Sequence, residues 1–326
     1  MSCRLVEGKL HEFQTLELNN NHITLKIIPE LGAKIASLQH LSAQREWLWK
    51  NPRQAYSAPN FDSSYVESFD LGGIDECFPA VAAGVYPTAP WTSTTIADHG
   101  ELWSQPWRLR SLDVTDQQIR LTQTCYGLRF PYRFERTLRL VADRAAVELT
   151  YHVTNLSPYP FPFIWSIHPL LAIDPGMRLA LPAQVDQVRI NSATDASYTL
   201  HNWPMIDVGV GERIDALHVP DRTARRAVKL VTPPLAGEND VTASITTADG
   251  NHSLRVHFSP QEISHFALWM NYGGWAGDGG TPYFNLGFEP CIGAADSLET
   301  CVHRVEESAV LAPHECRRWQ LTIECT

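Results

Sequence analysis

Two residues in this sequence have the types needed to move protons on one substrate, although they lie far apart in the chain. His168 sits inside the run Phe161-Pro-Phe-Ile-Trp-Ser-Ile-His-Pro-Leu-Leu-Ala-Ile173, which is apolar almost throughout. A strand apolar on both faces is covered on both faces, and burial there depresses an imidazole pKa unless a carboxylate compensates. Glu289, in Asn285-Leu-Gly-Phe-Glu-Pro290, is such a carboxylate. A histidine and a glutamate on two apolar strands are the minimal equipment for taking one proton off a substrate and placing another on it. A lone strand histidine is more often a hydrogen-bonded core residue, so other segments must converge on the pair before chemistry follows.

Three segments could converge. Asp70-Leu-Gly-Gly-Ile-Asp-Glu-Cys-Phe-Pro79 sets paired glycines beside paired acids, and Ile96-Ala-Asp-His-Gly-Glu-Leu-Trp-Ser-Gln-Pro-Trp107 sets His99 beside glycine amid aromatics. Glycine lets a backbone approach a ligand closely, and tryptophan offers a flat face to a sugar ring. On the plainer reading Asp75, Glu76 and Asp98 are solvated loop acids, and Trp103 and Trp107 pack at the edge of a core. The third segment, Phe266-Ala-Leu-Trp-Met-Asn-Tyr-Gly-Gly-Trp275, places Trp269 and Asn271 on one face of a strand. Core packing accounts for Trp269, whereas Asn271 beside it needs a polar partner, which favours a pocket.

The elements that must position these residues are strands. Ile23, Leu25 and Ile27 alternate with polar residues, as do Ile119 and Leu121, Val147 to Val153, Leu254 to Phe258, and Trp319 to Ile323. Period-two alternation marks a strand with one face on a core and one on water, and so many of them imply an antiparallel all-β protein. No segment keeps a 3.6-residue stripe for several turns, and the 22 prolines and 19 glycines fall mainly between strand candidates. Two large sheets packed face to face are the economical arrangement. Pro233 to Asp240 reads as a long loop rather than a linker, so a single domain is expected over residues 1–326.

The chain has 326 residues, 44% of them hydrophobic and 19% charged, with a net charge of -10. That composition can bury a large core and argues against nucleic acid as a partner. The seven cysteines are scattered without Cys-x-x-Cys spacing, which argues against a disulfide framework or a structural zinc site. The opening residues lack the apolar core of a signal peptide, and no apolar stretch is long enough to span a bilayer. A soluble, cytoplasmic protein with no membrane partner is expected, as a monomer or homodimer.

At this point the chain resembles the aldose 1-epimerase, or galactose mutarotase-like, superfamily. Ile28-Pro-Glu-Leu-Gly-Ala-Lys-Ile-Ala-Ser-Leu38 is similar to that family's opening hairpin, and Gly72-Gly-Ile-Asp-Glu-Cys-Phe-Pro79 to the glycine-rich loop of its hexose-6-phosphate branch. His99-Gly100 resembles its His-Gly motif, His168-Pro169 its catalytic His-Pro and Phe288-Glu289-Pro290 its catalytic Glu-Pro. Such short motifs in the family's order are together far more specific than any one of them.

The resemblance implies a large antiparallel β-supersandwich, a small-molecule sugar as substrate, and neither metal nor organic cofactor. It gives His168 the role of general acid, Glu289 that of base, and His99 that of substrate orienter. Asp75, Trp269 and Asn271 join His99 as expected substrate-binding residues. In mutarotation the base takes the anomeric O1 proton while the acid protonates the ring oxygen, so the ring opens and recloses on either face. The family's continuation after His-Pro is absent, since Leu170-Leu-Ala-Ile173 follows here. The phosphate-sugar branch has an arginine after His-Gly, whereas this chain has Glu101, Leu102 and Trp103. A neutral, hydroxyl-rich sugar is therefore expected.

Two other readings compete. A carbohydrate-binding protein could keep the cleft without turnover, but a pure binder has no need of a matched acid and base. A metal-dependent all-β enzyme of cupin type is suggested by Asp98-His-Gly-Glu101, yet no His-x-His pair occurs among the 13 histidines.

Overall fold

The computed structural model describes residues 2–191, 199–209, 212–277 and 280–326. Its strands form two large antiparallel sheets. Starting from the edge strand Arg4–Leu10, the larger sheet passes through Lys34–His40 and Gly73–Cys77 to Trp165–Ala172. It continues through Phe284–Ile292, His265–Tyr272 and Arg226–Val231 to its far edge at Leu200–Asn202. The smaller sheet runs from Arg178–Ala180 through Cys316–Cys325 and Ala146–Asn155 to Arg108–Val114. Among the described residues only Tyr65–Ser68 and Leu298–His303 are α-helical, and no helix is long and apolar enough to cross a membrane. This is the expected all-β supersandwich.

The alternation in the sequence maps onto the layers. Val147, Leu149, Tyr151 and Val153 are buried between the sheets while Glu148, Thr150, His152 and Thr154 turn outward. Trp319, Leu321 and Ile323 do the same on the neighbouring strand, directly opposite Tyr151, Leu149 and Val147. The larger sheet meets them with Trp165, whose ring lies 5.1 Å from that of Trp319 and 4.8 Å from that of Tyr151. Aromatic groups of this size dominate the energetics of a sandwich core.

One carboxylate is embedded in that core. Glu76 has no solvent exposure, and it accepts hydrogen bonds from Arg136, Tyr151 and the Trp165 indole, each at 3.0 Å. Burial pushes its pKa up to about 7 against the opposing pull of Arg136. The cluster ties the two sheets together directly beneath the strand that carries His168, because Glu76 stands opposite Ile167.

Candidate active site

The site forms on the other face of the larger sheet. Strand Trp165–Ala172 is flanked by Gly73–Cys77 on one side and Phe284–Ile292 on the other. Ser166 pairs with Cys291 and Leu170 with Gly287, so the same register sets Glu289 across from His168. The pairing lapses between Ser166 and Leu170, where Pro169 and Pro290 supply no N–H to the ladder. The two residues that the sequence singles out are thus cross-strand neighbours, with His168 Nδ1 3.1 Å from Glu289 Oε1. The contact is ionic rather than a well-aligned hydrogen bond, since neither atom finds a partner of good geometry.

Glu289 is held from its other side by Lys229, whose Nζ lies 3.0 Å from Oε2 and 2.7 Å from Asp296 Oδ1. The glycine two residues earlier makes room for this arrangement. A Cβ on Gly287 would stand 2.4 Å from Glu289 Oε1 and 2.8 Å from the Trp269 Cβ, closer than any side chain tolerates. Burial by itself would raise the Glu289 pKa, but the charges of Lys229 and His168 prevail and hold it well below the ordinary carboxylate range. For His168 burial works downward and the Glu289 charge upward, and the ring ends above its ordinary pKa.

A cavity of about 430 Å³ opens over these strands. His168, Lys229 and Trp269 form its floor, and Trp275 stands edge-to-face on Trp269 with ring centres 5.5 Å apart. The opposite wall belongs to the short helix Tyr65–Ser68 and to the loop of Asp98 and His99. His99 stacks on Tyr65 at 4.1 Å, and its ring centre lies 5.4 Å from that of His168. Its Nδ1–H donates to Asp98 Oδ1 at 2.8 Å, while Asp98 Oδ2 accepts the Tyr65 backbone N–H at 3.0 Å. The burial of Asp98 is outweighed by the His99 contact, leaving its carboxyl below the usual range.

Backbone geometry explains why glycine follows this histidine. His99 and Gly100 both have left-handed φ angles, +58° and +75°. A Cβ on Gly100 would meet the Phe78 carbonyl at 2.1 Å. Phe78 in turn lies in the inter-sheet core against Tyr132 and Phe134.

Of the expected site residues, His168, His99 and Trp269 line the cavity. Glu289 belongs to the site and is fully buried beside His168 and Lys229. Asp75 does not bind substrate from its position. It shares the His168 face of the sheet but lies under Tyr65, whose hydroxyl donates to it at 2.7 Å, and it also pairs with buried Lys34. Asp70, at the start of the same glycine-rich segment, reaches the cavity instead. Asn271 acts at one remove: it holds the Trp275 backbone through bonds of 3.1 and 3.2 Å.

Trp103 and Trp107 are core residues rather than stacking platforms. Glu101 is no metal ligand, because its carboxylate turns inward to the backbone N–H groups of Leu128 and Arg129. Sequence reasoning missed Lys229, Asp70 and Asn285 as wall residues. Lys229 left one trace, as the lone cation in the apolar stretch Ala227-Val-Lys-Leu-Val231.

The two broad antiparallel sheets give the chain the galactose mutarotase-like fold. The chain is similar in fold to a galactose mutarotase-like protein from Clostridium acetobutylicum, at 14% identity and a TM-score of 0.69, covering 100% of this chain and 99% of that one. It is similar also to a galactose mutarotase-like protein from Lactobacillus casei, at 14% identity and a TM-score of 0.68, covering 96% and 100%. Residues 14–209 match the profile of the aldose 1-epimerase family, and the chain belongs to that family. No curated protein sequence matches it.

Proposed function

We propose that the protein is an aldose 1-epimerase that interconverts the anomers of a neutral, hydroxyl-rich aldose. The observation that carries this reading is the His168–Glu289 contact at the floor of the tryptophan-walled cavity. Mutarotation needs a proton donor that is charged near neutral pH and aimed at the ring oxygen. Burial lowers the His168 pKa and the Glu289 charge raises it above its ordinary value, with Nδ1 facing the carboxylate. Nε2 remains free of protein partners and able to serve the sugar.

The charge of the walls supports the choice of sugar. Asp70, Asp98 and Asp296 line the cavity, and its one lysine is already engaged by two carboxylates. The described lining contains no arginine, so a phosphorylated sugar would meet acids where it needs cations. Trp269 and Trp275 offer apolar faces to the C–H side of a pyranose.

Polarimetry on freshly dissolved α-glucose, α-galactose and other aldoses tests the proposal. The wild type should accelerate the decay of rotation for at least one sugar, and His168→Ala should abolish the effect. Binding of several sugars by calorimetry without any acceleration would overturn it in favour of a non-catalytic carbohydrate-binding protein.

A further inference from the structure

Lys229 is the one lysine or arginine among the described cavity walls, and it reaches Glu289 across a whole strand. Its backbone pairs with Trp269, and Trp269 pairs with Gly287, so Lys229 starts from the row two residues short of Glu289. The side chain can cross because the residue of the middle strand that stands opposite Glu289 is Ala267, too small to block it.

The end of that side chain is fixed on both sides. Nζ lies 3.0 Å from Glu289 Oε2 and donates to Asp296 Oδ1 at 2.7 Å. The Asp296 carbonyl accepts the N–H groups of Val81 and Ala82, and the Val81 carbonyl accepts that of His99, so the ammonium is tied to the floor and to the facing wall. Burial works against its charge, but the two carboxylates prevail and keep it protonated. Lys229 therefore meets an open-chain aldehyde as a hydrogen-bond donor and not as a nucleophile.

An ammonium has three N–H bonds, and two of these are directed at carboxylates. No third acceptor is within reach among the described residues, although the side chain lines the cavity. Glu289 is buried between His168 and Lys229, so a sugar oxygen that comes to this carboxylate comes to rest beside Lys229 as well.

We infer that Lys229 is a third catalytic residue, which donates its remaining N–H to the anomeric oxygen O1; this rests on the mutarotase reading above, with Glu289 as base and His168 as acid. Glu289 takes the O1 proton, and the O–H electron pair becomes the C1=O π bond. The C1–O5 bond breaks with its pair moving to O5, which takes the proton from His168. Negative charge that gathers on O1 as its proton leaves meets the ammonium, as in an oxyanion hole. After rotation about C1–C2, Lys229 polarises the C1=O group while O5 attacks C1. His168 then recovers its proton from O5, and Glu289 returns one to O1. No oxidant, metal or water is consumed.

The test pairs the aldose that responds best in polarimetry with its 1,5-anhydro-alditol, the same ring without O1. By calorimetry the wild type should bind the aldose at least about tenfold more tightly than the anhydro compound. Lys229→Met, with its fold checked by circular dichroism, should weaken aldose binding about tenfold, leave the anhydro compound within about twofold, and lower kcat by about 10²- to 10³-fold. Lys229→Gln is the second variant should the methionine protein not fold, and it should weaken the aldose by at least about threefold while sparing the anhydro compound. Equal weakening of both ligands would reduce Lys229 to a structural tie, and a wild type that binds the two equally would exclude the O1 contact without any variant. A wild type that accelerates no aldose would instead remove the mutarotase reading itself.

Discussion

Glu76 and Glu289 stand on the two strands that flank the His168 strand, and both are wholly buried, yet their surroundings drive them in opposite directions. Glu76 faces the inter-sheet core with one cation, Arg136, and two neutral donors, and burial prevails. Glu289 faces the cavity side between two cationic groups, and their charges prevail. The number of cations within reach, rather than depth alone, decides whether a buried carboxylate stays ionised. The first ties the two layers together and the second is a fixed charge behind His168.

The sharpest way to break this contrast is Glu289→Gln. It should lower turnover by about 10³- to 10⁴-fold, as expected when an imidazole loses its orienting carboxylate, with the fold intact by circular dichroism. Retained turnover would show that the charge behind His168 is dispensable. Arg136→Met attacks the other glutamate and should cost about 3 kcal/mol in urea denaturation at pH 7, because it strands a buried acid. Turnover per folded molecule should stay within about twofold; a large loss would mean that the two glutamates are not separate devices.

The pH dependence sharpens the contrast further. Glu76 binds a proton more tightly when folded than when unfolded, with a folded pKa of about 7 against 4.5. Its contribution is complete below about pH 4.5 and is lost as pH rises towards 7, by an amount on the order of 3 kcal/mol. Glu289 runs the other way, because its folded pKa is depressed. Its stabilisation is present above pH 4.5 and fades as pH falls below that value. Urea midpoints of Glu76→Gln against wild type between pH 5 and 8 should show the declining slope only in the wild type. The smallest effect belongs to Gly287→Ala, whose new methyl group must displace the Glu289 carboxylate. About a tenfold loss in kcat is expected, measured by the same polarimetry.

Most of the fold was legible because alternation in strands such as Ala146–Asn155 has a single physical cause, one face on a core. The His168 and Glu289 pairing was legible because short motifs carried it across the chain. The acids near position 75 were not, since strand parity puts Asp75 on the right face while Tyr65 covers it, and no local pattern records a cover from another segment. Lys229 escaped for a related reason: a cation on a strand reads as solvent-facing, and here it meets a glutamate two strands away. Asn271 was rightly expected to need a partner, but that partner is the loop of Trp275 rather than a ligand.

The junction at Gly100 links the His99 loop to the interior of the sandwich. With Phe78 pressed between that glycine and the rings of Tyr132 and Phe134, there is no slack through which one could shift without the other. Anyone reshaping this cavity should therefore vary the tryptophan side, where Trp275 rests on a loop held by Asn271 and by the Tyr283 backbone, and leave the phenylalanine anchor untouched.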